Sequence, residues 1–77
     1  MSDVEQRVKQ VVADTLKVEA ARITNEARFV EDLGAESVQS IELIAAFEEE
    51  FDIEMDEEAA LVVKTVGQAI EFIGNMV

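Results

Sequence analysis

Ser37-Val38-Gln39-Ser40-Ile41-Glu42-Leu43-Ile44-Ala45-Ala46-Phe47-Glu48-Glu49-Glu50-Phe51 carries the strongest helical periodicity in a chain of 77 residues. At about 100° per residue, Leu43, Ile44, Phe47 and Phe51 share one side, which predicts the core stripe of a helix beginning near Glu36 or Ser37 and ending near Asp52. A second arc gathers Val38, Ile41, Glu42, Ala45, Glu48, Glu49 and Asp52 around Ser37. A face that is half apolar and half acidic suits a docking helix, because apolar side chains supply contact while carboxylates steer a basic partner. The alternative is that Val38 and Ile41 pack beneath a covering loop.

On the N-terminal side, Ser2-Asp3-Val4-Glu5 has capping-box spacing, and Val4, Val8, Val11, Val12 and Leu16 recur at helical intervals. A first helix is expected from about Asp3 to about Leu16. Between Lys17 and Ala35 the periodicity breaks, with Thr24-Asn25 as turn formers, Ile23, Phe29, Val30 and Leu33 as anchors, and Gly34 as punctuation. A connection of that length is more often functional than decorative. On the C-terminal side, a short acidic helical turn is expected at Asp56 to Leu61. A last helix opens at Thr65, where Thr65-Val66-Gly67-Gln68 repeats the capping-box spacing, with Val66, Ala69, Ile70 and Ile73 as its stripe and Gly74 as its C-terminal cap. Residues 1–77 thus read as a single all-α domain, a small bundle of three principal helices plus one short helix, with Phe29, Phe47, Phe51 and Phe72 at core positions.

Composition narrows the function. Cysteine and histidine are both absent, which removes thiol nucleophiles, imidazole or thiolate metal sites and the side chain best suited to proton transfer near neutral pH. No catalytic residue is expected, and the chain reads as a non-enzyme. Lys+Arg is 6 against Asp+Glu 18, a net charge of −12 that disfavours nucleic acid and anionic membranes and favours basic protein surfaces. Twelve acids and no base lie between Arg28 and Lys64. No apolar run approaches the roughly 20 residues of a membrane span, and Met1-Ser2-Asp3 lacks the basic start of a signal peptide, so a cytoplasmic location is expected. The oxygen ligands Asp52, Glu54 and Asp56 have the alternate spacing of a calcium loop, but Glu57 stands where its turn needs glycine and Val63 where its bidentate glutamate should be. Loose cation binding by clustered carboxylates is expected, without a dedicated metal site.

Ser37 by itself reads as an N-cap or first-turn serine. Its position would also receive a phosphodiester well, since the positive end of the helix dipole and the free first-turn N–H groups lie there. With no cysteine or histidine to act as a base, modification of Ser37 would fall to another enzyme.

Phe29-Val30-Glu31-Asp32-Leu33-Gly34-Ala35-Glu36-Ser37-Val38, continuing through Glu42-Leu43 and Phe47-Glu48-Glu49-Glu50-Phe51-Asp52, resembles the acyl carrier proteins of fatty acid and polyketide synthesis. The resemblance covers nearly the whole chain and is sharpest from Ile23 to Glu58. It implies a four-helix bundle with a long first loop, 4′-phosphopantetheine attached covalently to Ser37, and acyl groups carried as thioesters on the arm's thiol. It further implies docking through Glu36, Val38, Ile41, Glu42, Ala45, Glu48 and Glu49 to a phosphopantetheinyl transferase and to acyl-processing enzymes with basic patches. An acyl-chain pocket among Leu43, Ile44, Phe47 and Ile70, and a monomeric free-standing carrier, follow from the same resemblance. Glu36 stands where the family has Asp, Val38 where it has Leu, and Asp56 where proline is frequent, which points to a specialised carrier. A carrier of amino acids or short polyketide units, and an unmodified acidic adaptor, are the alternatives.

Overall fold

A computed structural model of the chain describes residues 3–55 and 62–77. Helix α1 spans Asp3–Leu16, a 3-10 turn covers Ala20–Arg22, α2 spans Ser37–Phe51 and α3 spans Val66–Gly74. The described residues are all-helical, without strands. The expected helical turn at Asp56 to Leu61, and with it the fourth member of the bundle, lies outside the described residues, as does Ser2 of the first expected capping box.

The three apolar stripes meet in one core. Val8 and Val12 of α1, Leu43 and Phe47 of α2, and Val66, Ala69 and Ile73 of α3 are almost wholly buried, joined by Ile23, Ala27, Phe29 and Ala35 of the long connection. Helix α1 packs against both α2 and α3. Ile44, Ile70 and Phe72 are half-buried against this core. Val30, expected as an anchor, is 60% exposed; the turn that returns the N–H groups of Asp32 and Leu33 to the Arg28 carbonyl carries it outward. Gly74 is not the expected cap either: it is the last residue of α3, and Asn75 closes the helix by donating its N–H to the carbonyls of Glu71 and Ile73.

The ends of α1 and α2 are closed by left-handed residues, Lys17 at φ 56° and Asp52 at φ 54°. Behind them the N–H groups of Val18 and Ile53 reach back to the carbonyls of Ala13 and Glu48. Arg7 reinforces the end of α2 from α1. Its Nε lies 2.8 Å from the Glu50 carboxylate, its Nη2 donates to the Glu50 carbonyl, and its guanidinium stacks 4.4 Å from the centre of the Phe51 ring. A cation at a helix C-terminus is favoured by the dipole, and the stacked ring adds about 0.5–1 kcal/mol at an exposed site.

The long connection is stitched to the start of α3. Phe29 N–H donates to the Lys64 carbonyl, Val66 N–H to the Ala27 carbonyl and Gly67 N–H to the Asn25 carbonyl, at 3.0, 3.0 and 2.8 Å. The closeness of the last contact requires glycine: a Cβ on Gly67 would stand 2.9 Å from the Asn25 carbonyl oxygen, a backbone atom that cannot swing aside. Gly67→Ala is therefore expected to cost about 1–3 kcal/mol by overpacking, exceeding the ~1 kcal/mol that alanine gains in helix propensity. In a thermal melt Gly67→Ala should lower the Tm, whereas Gly74→Ala, with nothing within 4 Å of the added carbon, should leave it level or raise it. A Gly67→Ala protein as stable as wild type would refute the close approach.

Candidate functional site

The start of α2 is placed by the same stitching. From Phe29, held on Lys64, the chain turns at Arg28–Leu33, passes Gly34 at φ +71°, and returns so that Ala35 N–H donates to the Phe29 carbonyl at 2.8 Å. Ala35 is buried. Glu36 follows in extended conformation as the N-cap of α2, with its N–H donating to Gln39 Oε1 at 2.9 Å. Ser37 is consequently the first helical residue, exposed, and not the cap. Among the described residues its hydroxyl makes no hydrogen bond. Ser40, one turn on, is half-buried and donates to the Glu36 carbonyl at 3.4 Å.

The turn before Ser37 is held electrostatically. Asp32 accepts from Arg28 Nε at 3.1 Å and from Arg28 N–H at 2.8 Å, while Arg28 Nη1 lies 2.7 Å from Glu31. The hydrogen bond from the Arg28 side chain, aided by that from its backbone, holds the Asp32 carboxyl below its ordinary value of 3.8. A depressed carboxyl pKa contributes stability that is complete above the ordinary value and is lost as pH falls through the lowered one. An NMR titration of the Asp32 carboxyl should thus show a midpoint below 3.8, and Arg28→Gln should move it upward. An unmoved midpoint would detach Arg28 from this role.

Around Ser37, the expected docking residues Glu36, Val38, Ile41, Glu42, Ala45 and Glu49 are all exposed, Val38 at 64% and Ile41 at 69%. These two apolar side chains do not pack beneath the loop. Glu48 differs from its neighbours: it is half-buried, and its Oε2 accepts from Met55 N–H at 3.0 Å, tying α2 to the chain beyond it.

Between α2 and the start of α3 the core stays open as a cavity of about 570 Å³. Leu43, Ile44 and Phe47 line it as expected, joined by Phe29 and Val63, which periodicity on α2 could not have revealed. Ile70 is not among its walls and packs against the core instead.

The model of the phosphopantetheine attachment site family matches residues 6–73, from the first turns of α1 to the last turn of α3. The chain belongs to that family. A phosphopantetheine-binding carrier domain bears a covalently attached 4′-phosphopantetheine, interacts with enzymes and is typically non-catalytic. The residues present fit such a group. Its phosphate needs an accessible hydroxyl free of competing bonds, and of the two described serines Ser37 offers one whereas Ser40 is half-buried and engaged. No helix among the described residues is long and apolar enough to cross a membrane.

Proposed function

We propose that this chain carries acyl groups on a phosphopantetheine arm attached to Ser37 and presents them to partner enzymes through the exposed face of α2. The observation that carries the reading is the exposed, unengaged Ser37 hydroxyl at the first position of a 15-residue helix within the family-matched span. During modification Ser37 Oγ bonds the pantetheine-bearing phosphorus of the coenzyme A diphosphate, and the bond from that phosphorus to the bridging oxygen breaks. The serine proton passes to the transferase and the nucleotide leaves as adenosine 3′,5′-bisphosphate. The helix dipole then favours the phosphodiester by about 0.3–1 kcal/mol. When bound, the arm supplies a terminal thiol that holds an acyl group as a thioester, chemistry a chain without cysteine lacks. The chain itself catalyses no step. Val38 and Ile41 offer apolar contact to a partner, and Glu36, Glu42 and Glu49 orient its basic patch.

Incubation with coenzyme A and a promiscuous phosphopantetheinyl transferase should add the mass of one arm, and peptide mapping should place it on Ser37. No uptake, or an adduct on Ser40, would overturn the assignment. The docking face has its own test. Glu42→Lys with Glu49→Lys should slow modification and weaken its dependence on salt, with the circular dichroism spectrum unchanged, because exposed charges act on association more than on stability. Glu48→Lys should additionally lower the Tm, since it removes the acceptor of Met55 N–H. Modification as fast in the double variant as in wild type would move docking to another surface.

A further inference from the structure

Resting on the arm at Ser37, we propose that the cavity selects acyl cargo bearing an oxygen acceptor, a carbonyl or a carboxylate, over a plain saturated chain. Its floor of Phe29, Leu43, Phe47 and Val63 is apolar and indifferent to that choice. The wall formed by Lys64, Thr65 and Gln68 is not.

The acceptors of this wall are already occupied. Gln68 Oε1 accepts from the N–H groups of Lys64 and Thr65 at 2.8 and 3.2 Å, and Thr65 Oγ1 accepts from Gln68 N–H at 3.1 Å. These bonds close the N-terminus of α3 as a capping box. They also decide what remains for a ligand: the Gln68 amide N–H₂ and the Thr65 hydroxyl proton, neither with a partner among the described residues. The Lys64 ammonium stands at the same rim without an ion-pair partner among the described residues, whereas Arg28, also at the rim, is shared between Glu31 at 2.7 Å and Asp32 at 3.1 Å. Among the described residues the wall therefore presents donors and one unpaired positive charge. A saturated chain would displace water from these donors and return no hydrogen bond, while a carbonyl or carboxylate would satisfy them.

The test compares three cargoes of equal carbon number, hexanoyl, β-oxohexanoyl and adipoyl, each loaded as its coenzyme A thioester. The first readout is the rate of thioester cleavage by hydroxylamine, relative to the same thioester on free pantetheine. The second is the NMR shift of the Gln68 side-chain amide and of the Thr65 and Lys64 signals. Protection of the β-oxohexanoyl or adipoyl thioester should exceed that of hexanoyl about fivefold, the worth of one net hydrogen bond. The Gln68 amide signals should move only with the oxygen-bearing cargo. Protection of the adipoyl thioester that is lost in Lys64→Gln assigns the carboxylate to Lys64, and protection of the β-oxo thioester alone assigns a carbonyl to Thr65 and Gln68. Equal protection for all three, or the greatest for hexanoyl, on protein carrying the arm at Ser37 would overturn this inference and leave the carrier reading standing. Failure to take up any arm would overturn both.

Discussion

Ser37→Ala protein should emerge from incubation with coenzyme A and a phosphopantetheinyl transferase at unchanged mass, while wild type gains one arm. The effect is complete because the substitution removes the atom that forms the bond, and nothing nearby replaces it. Ser40 is the nearest alternative hydroxyl, but it is half-buried against the cavity wall and hydrogen-bonded to the Glu36 carbonyl. Alanine is also the better helix former, and Ser37 is exposed and is not the cap of α2, so the variant should fold as well as wild type. Intact mass spectrometry with a thermal melt checks both halves. A Ser37→Ala protein that still gains an arm would locate the attachment elsewhere.

Phe47→Ala should cost about 3–5 kcal/mol, the usual loss when a buried aromatic side chain is truncated. Phe47 is 1% exposed and sits where α2 meets the core, so the cavity already beside it would enlarge and little could collapse into the space. A domain of 77 residues has a stability of roughly 4–12 kcal/mol in all, at ~0.05–0.15 kcal/mol per residue. Truncation thus removes a large share of it, and the Tm should fall by at least about 12 °C. Urea denaturation followed by circular dichroism gives the difference, with Phe47→Leu as the milder comparison. A loss under about 1 kcal/mol would mean that Phe47 is not a keystone of the core.

Much of the fold is legible in the sequence because the signals that delimit helices are local. The valines of α1 and the Leu43–Phe47–Phe51 stripe mark buried faces by spacing alone, and both helices end within a residue of the positions so read. Thr65 and Gln68, three residues apart, make the capping box that their types and spacing announce. Of the candidate site, local spacing places Ser37 at the start of the most periodic helix and its neighbours on the outer arc, whereas the reading of Ser37 as the point of attachment rests on the resemblance to acyl carrier proteins. The structure departs from these cues where they conflict with the course of the chain. Val30 is apolar and so marked as an anchor by residue type, yet in an irregular turn adjacent side chains need not share a direction, and it is exposed. Gly74 is a cap by residue type, but the turn beyond it closes at Asn75 without a left-handed residue.

By itself, then, the sequence determined the three long helices, their buried stripes, the outward arc of α2 and the position of Ser37, all through interactions spanning no more than a few residues. The tertiary structure alone decided what lies far apart along the chain. It brought Arg7 onto the end of α2 across 43 residues, held Phe29 on Lys64 so that the start of α3 places the start of α2, and separated Glu48 from the exposed acids by giving its carboxylate to Met55. It also left the cavity, whose floor and wall come from α2, the long connection and the start of α3. No periodicity encodes such a meeting, because each partner is specified by the path of the whole backbone and by which hydrogen-bonding groups remain free once the core has closed.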